Sequence, residues 1–295
     1  MSMERIRRYG IVIAAVLGAS GPAGVLGSEV RLPQYTTWVS YNVGSGGNAA
    51  HGELNHGPEK GQSASSLAYF SNSSGFDWVK MDARASGTAL SAQVVAYPRS
   101  NGPLVPDGPG IFFGRSSLTI PVEVVAAGVA TIKFNMRIDN LGYPKTAEGD
   151  GHSTSFFRGY VKNVPAEAQA QFSGDSNIIE DSRKSDGSYE VRRAVDQSNN
   201  KEGGSRYLSF DFDQDDVGEI FDVELDLYTK LVSYDVPKLL ASTDSPTASS
   251  FAEGSVDFIN YNGKQVLKPV PLPPAIWLFA SVVGLWGRWA GWRRA

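Results

Sequence analysis

The chain has 295 residues, 41% of them hydrophobic, a formal charge of −4 and no cysteine. Without cysteine there are no disulfides, no thiolate metal ligands and no thiol nucleophile. The charge divides into +2 over residues 1–27, +3 over residues 271–295 and −9 on the body between them; such a body lacks the clustered Lys and Arg that nucleic acid or an anionic lipid surface requires.

At the start, Arg5, Arg7 and Arg8 precede an uncharged run from Ile11 to Ala19, followed by a Gly- and Pro-bearing stretch with small residues just before Ser28. A basic start, an apolar centre and a small-residue cleavage site make residues 1–27 a secretory signal peptide. Residues 28–268 then form the body, and residues 269–295 a separate terminal segment. The body is long enough to bury a core without covalent staples.

Period-two patterning dominates the body. TTWVSYNV (36–43), SSLAYFS (65–71), FDWVKMDARA (76–85) and ALSAQVVAY (89–97) are each bounded by Gly, Asn, Ser or Pro, as half-buried strands are. SSLTIPVEVVA (116–126) and VATIKFNMRI (129–138) flank Ala127 and Gly128, which reads as a tight hairpin or as two strands meeting at a bend. In the second of these, Ile132, Phe134, Met136 and Ile138 share one face and Lys133, Asn135, Arg137 and Asp139 the other. Pro121 marks the first as an edge or bulged strand. Further runs at 155–161, 168–172, 188–195, 206–213, 220–234 and 255–261 continue the alternation, and no segment of the body shows a long helical stripe. The expected fold is an all-β, antiparallel, jelly-roll-like sandwich in one domain, with 140–153 and 196–205 as loops.

Chemistry is sparsely signalled. GSGGNA (44–49) has the spacing of a dinucleotide loop but is followed by a Gly- and Pro-broken stretch instead of a helix. Asp211, Asp213 and Asp215 in DFDQDD alternate like the opening of a calcium loop, yet the Gly and the closing Glu of that loop are missing. The competing assignment is a strand, with Leu208, Phe210 and Phe212 inward, that ends in a hydrated turn. His51, His56 and His152 match no zinc motif and read as solvated loop residues. No pair of carboxylates stands out for glycoside hydrolysis. Trp38, Tyr41, Trp78, Tyr97, Tyr143 and Tyr160 are candidates for a sugar-stacking platform, or for cross-strand packing.

The terminal segment contains VPLPPAIWLFASVVGLWGRWAGWRR from Val270 to Arg294. Its uncharged stretch Ala275 to Gly287 is shorter than the ~20 residues of a straight helical span, and extension past Arg288 through Trp292 brings it into the range of about 17–25 that spans occupy. Arg293 and Arg294 then mark the cytoplasmic side of a transmembrane helix, which leaves the body outside the cytoplasm.

This stretch resembles the VPLPA variant of the PEP-CTERM sorting signal. Val270, Pro271, Leu272 and Pro273 match the family's proline motif, Trp277, Leu278 and Phe279 the start of its helix, and Arg293 and Arg294 its basic end. Pro274 stands where the variant usually has alanine. The resemblance implies a Gram-negative, exopolysaccharide-producing source and an exosortase-type membrane protease as partner. It also implies an inner-membrane-anchored precursor with a periplasmic body, destined for the cell surface or extracellular matrix. The body is then expected to be a non-enzymatic surface or matrix protein in contact with extracellular polysaccharide. A carbohydrate-binding module and a polysaccharide-active hydrolase are the alternatives. No cofactor is expected, calcium apart, and no nucleic-acid partner. An uncleaved anchor helix is the competing account of the tail, but the Pro-x-Pro entry and the Trp-Leu-Phe start are more than an anchor needs.

Overall fold

The computed structural model describes residues 31–44, 50–60, 63–71, 77–97, 108–141, 151–165, 169–196, 200–236, 240, 248–261 and 263–270. Residues 1–27, expected to be a signal peptide, Tyr143 and the tail beyond Val270 lie outside them. The chain divides into two compact units, Met1–Arg31 and Leu32–Ala295, and every described strand belongs to the second.

Fifteen strands are described: β1 (Gln34–Val43), β2 (Ala50–Lys60), β3 (Ser63–Ser71), β4 (Asp77–Ser86), β5 (Ala89–Ala96), β6 (Gly110–Val124), β7 (Gly128–Leu141), β8 (Gly151–Lys162), β9 (Gln169–Gly174), β10 (Glu180–Arg183), β11 (Tyr189–Val195), β12 (Asn200–Phe212), β13 (Ile220–Ser233), β14 (Ala248–Asn260) and β15 (Leu267–Pro269). They form two sheets. The first runs β10-β11-β8-β13-β6-β1-β2, with β15 also on β6; the second runs β3-β4-β5-β14-β7-β12-β9. Every pairing is antiparallel. Among the described residues no helix is long and apolar enough to cross a membrane.

Alternation decides which side chains fill the space between the sheets. In β7, Ile132, Phe134, Met136 and Ile138 are buried while Lys133, Asn135, Arg137 and Asp139 face outward. Each large apolar side chain so buried contributes about 1.5–3 kcal/mol. At two places a ring from one sheet fits over a glycine of the other. A Cβ on Gly159 would come within 2.4 Å of Phe134, and one on Gly254 within 2.8 Å of Phe157. These two positions allow an approach that any side chain would block.

β6 and β7 do not pair. The chain passes from the first sheet to the second at residues 125–127, and Gly128 at φ +136° takes the left-handed backbone that the bend requires. Of the two sequence-based alternatives the bend is correct, because β6 already has β13, β1 and β15 beside it and β7 has β12 and β14. Pro121 therefore sits in an interior strand. It is tolerated because the β1 pairing ends at Thr119, and Val270 donates its N–H to the Pro121 carbonyl on that flank (2.9 Å).

The interior holds two apolar clusters. The larger includes Leu118, Phe134, Phe157, Leu208, Phe210, Phe221 and Leu267; the smaller includes Val39, Phe70, Trp78, Met81, Phe112 and Leu231. Buried hydroxyl and amide groups join the sheets as a polar seam. Ser155 donates to Asn140 Oδ1 (2.7 Å) and shares a bond with Ser250 (2.9 Å). Thr37 bonds Ser66 (2.8 Å), and Ser116 donates to the Ser91 carbonyl (3.0 Å). At the β11/β12 margin Arg193 grips Glu202 through two bonds of 2.7 Å, and Arg206 pairs with Asp181, again linking one sheet to the other.

Candidate functional site

The outward positions of the first sheet bring together residues from five strands. Trp38 on β1, Phe113 on β6, Tyr228 on β13 and Phe156 on β8 form one aromatic row. Trp38 meets Phe113 at a centroid distance of 4.8 Å and a 59° tilt; Tyr228 lies nearly parallel to Phe113 (5.7 Å, 29°) and to Phe156 (5.2 Å, 20°). Offset, near-parallel rings of this kind attract beyond the area they bury. Burial raises the Tyr228 hydroxyl above its ordinary value, with the charges of Asp196 and Asp226 adding to the effect.

Beside the row runs a trough. In register, Thr36, Ser117, Asp226 and Arg158 lie side by side across β1, β6, β13 and β8. Thr36 and Ser117 are short, so the surface sinks between Trp38 on one side and Thr119, Glu224 and Tyr160 on the other. One hollow of about 240 Å³ is lined by Thr36, Trp38, Asn55, Arg115 and Ser117. A second, of about 190 Å³, shares Arg115 and Ser117 and continues to Arg158, Tyr160, Glu224 and Asp226. From β2 to β8 the two span four strand spacings, ~19 Å, crosswise to the strands.

Most charges here are paired. Arg115 holds Asp226 through two bonds (2.9 and 2.8 Å), which raises the guanidinium further. Lys162 meets Glu224 at 2.7 Å, Arg192 meets Glu180 at 2.9 Å, and Glu190 receives Arg158 and Lys184. Arg158 and Lys162 both lie over the Tyr160 ring, and Ser188 donates to its hydroxyl at 2.6 Å. Between these paired charges the uncharged lining of the trough is Thr36, Asn55, Ser117 and the Trp38 ring.

Of the six aromatic candidates read from sequence, Trp38 and Tyr160 belong to this face. Tyr41 and Trp78 pack in or against the smaller cluster, and Tyr97 is exposed at the end of β5. Phe113, Phe156 and Tyr228 carry no signal of their own in the sequence, although each occupies an outward position of an alternating run.

The remaining candidates do not converge. Asp211 stands on the outward side of β12, opposite Val129. Asp213 accepts the backbone N–H groups of Asp215 (2.8 Å) and Asp216 (3.2 Å), and Asp216 accepts that of Asp213 (2.9 Å), which closes the turn on itself. Among the described residues no three His, Asp or Glu side chains are grouped to hold a metal ion. His51 and His56 are exposed, but they lie on β2 and not in a loop, because pairing with β1 draws this Gly-rich stretch into the sheet. His152 is 3.8 Å from Asp196, whereas its neighbour Ser153 is buried on the other side of β8, so the two do not share a site. Val270, the first residue of the proline motif, is bonded to Pro121; Pro271, Leu272, Pro273, Trp277, Leu278, Phe279, Arg293 and Arg294 lie outside the described residues.

The fold is thus a two-sheet antiparallel β-sandwich with a polar, aromatic-edged trough on one face. No family model and no curated protein matches the chain. A solved structure concerned with the promiscuous specificity of carbohydrate-binding modules of the β-sandwich superfamily overlaps 79% of this chain and 100% of its own at 7% identity, with a TM-score of 0.17. At that score the overlap carries no argument about fold or ligand.

Proposed function

We propose that the chain is an exported, non-enzymatic surface or matrix protein whose sandwich binds neutral extracellular polysaccharide along the trough of the first sheet. The observation that carries this reading is the trough itself. It is long and open, edged by the Trp38 ring, and offers Asn55, Ser117 and Thr36 as hydrogen-bonding groups. A sugar ring has an apolar face and a polar rim, which suits one aromatic wall beside uncharged donors and acceptors. Because Arg115, Lys162 and Arg192 are each paired with a carboxylate, and Arg158 and Lys184 share Glu190, the surface gives a charged polymer little net attraction. Asp226 and Glu224 are both engaged by cations, which supports binding over hydrolysis. The signal-peptide layout and the tail's resemblance to an exosortase signal supply the route to the surface, with the tail helix holding the precursor in the inner membrane.

The test is titration of neutral and acidic polysaccharides onto the purified full chain in detergent. Binding to a neutral polymer, little changed between low and high salt, is expected, with a loss of at least tenfold for Trp38→Ala and for Ser117→Gln, which fills the trough. Indifference to both substitutions, or a preference for acidic polymers that fades with salt, sinks the proposal.

A further inference from the structure

The first residue of the proline motif is still part of the folded body. Val266 and Leu267 are buried in the larger cluster, 2% and 1% exposed. Asn260 Oδ1 accepts the backbone N–H groups of both (2.9 and 3.1 Å). The Val266 carbonyl accepts from Val125 N–H (2.8 Å), β15 pairs with β6 from Leu267–Val124 to Pro269–Val122, and Val270 N–H closes the set on Pro121. Five consecutive residues, 266–270, are therefore fastened as a strap.

β15 and β1 lie on the same flank of β6 and run the same way: Val270 reaches Pro121, and Gln34 opposes Thr119. Two positions along β6 separate them, ~7 Å. A ladder continuing past Val270 would meet the start of β1, and Pro271 brings no N–H to extend it. Pro271 could therefore donate nothing to a longer ladder, and the first and last described strands, β1 and β15, meet at one corner of the sandwich.

We infer that residues 266–270 are a latch on the tail: removal of the tail at the proline motif waits on release of this strap from β6. The inference rests on the reading of the tail as a sorting signal. A protease must take hold of backbone on both sides of the bond it cuts, and on the body side that backbone is already bonded to Pro121, Val125 and Asn260. Cleavage of a protected segment tracks the population in which the segment has opened. Asn260 is the lever, because its side chain holds two strap amides without belonging to the ladder.

The experiment follows tail removal by pulse-chase in a producing strain for four full-length chains: the parent, Asn260→Ala, a ten-residue Gly/Ser insertion between Pro269 and Val270 that leaves the motif intact, and Pro271→Ala/Leu272→Ala/Pro273→Ala. Removal is expected to accelerate about tenfold in Asn260→Ala, the loss of ~1.4 kcal/mol from the closed strap, and at least as much in the insertion chain. Hydrogen exchange at the Val266 and Val270 amides of purified Asn260→Ala is expected to speed up by the same factor, while amides of β7 keep their protection, showing that the sandwich itself remains folded. If Asn260→Ala and the insertion are processed at the parental rate while the motif substitution blocks removal, the latch is overturned and the sorting signal stands. If the motif substitution changes neither removal nor location, the sorting signal is overturned, and the latch with it.

Discussion

On the outer face of the first sheet Trp38, Phe113, Tyr228 and Phe156 touch one another and only Tyr160 among the aromatics of the site lies beneath cations, while on the second Tyr207 lies beneath Lys133 and Phe251 beneath Arg137. Short polar links also cross the second face, such as Thr131 to Ser209 and Tyr261, and Asn135 to Ser255, Asp257 and Ser205, beside the exposed side chains of Leu67, Tyr69, Val129 and Leu141. Both faces obey the same alternation, so the difference arises from which outward residues become neighbours across strands. Where aromatics adjoin, a ridge stands beside short residues and leaves a trough. Where hydroxyls, amides and charges adjoin, they satisfy one another.

The strongest test of that contrast is the middle of the aromatic row. Tyr228→Ala removes a ring packed against two others and is expected to cost about 2 kcal/mol of unfolding free energy, whereas Tyr207→Ala, with one cation above it, costs about 0.5–1 kcal/mol. Equal losses in urea titrations would erase the distinction between the faces.

A smaller effect belongs to neither face. Arg193, through its paired hydrogen bonds, holds the Glu202 carboxyl below its ordinary value near 4.5, against the opposing pull of burial, and Asn200 helps. A carboxyl depressed in the folded state stabilises it above the unfolded value, and that stabilisation fades as pH falls through the folded value. Melting below pH 4.5 should therefore show a loss of about 1 kcal/mol that Glu202→Gln abolishes, the variant being less stable at neutral pH and flatter in acid. A variant that kept the parental acid slope would show that this inter-sheet link contributes nothing to stability.

The smallest effect separates stability from binding. Arg115→Gln breaks an exposed ion pair and should change stability by no more than ~0.5 kcal/mol, as should Arg137→Gln on the second face. Only Arg115→Gln should weaken polysaccharide binding. Matching binding losses from both would place the ligand elsewhere.

The strands of the body are legible in the sequence wherever alternation is clean, as in β7, β12 and β13, because facing follows from the period of two alone. β2 is hidden: AHGELNHGPEK mixes polar residues with Gly and Pro and has no apolar alternation, and its strand form is imposed by pairing with β1. The start of β12, NKEGGS, is hidden likewise, since β7 beside it supplies the order that its own residues do not. For the site, Trp38 can be nominated from its residue type, but Phe113, Tyr228 and Phe156 acquire meaning only from the order β1-β6-β13-β8, which local sequence does not encode. Tyr160 looks free in sequence and is held by Arg158, Lys162 and Ser188.

The seam of Asn140, Ser155, Ser250, Thr37 and Ser66 has a further meaning in a chain without cysteine. Apolar layers slide over one another at little loss, but a hydroxyl–amide pair lengthened by one ångström ceases to be a bond. The seam works as a vernier between the two sheets: the observed placement brings these partners into coincidence, and a slip along the strands would leave them desolvated and facing carbon. Sheet alignment, which many β-sandwiches fix with a covalent bridge, is here set by directional bonds that can be remade each time the chain folds.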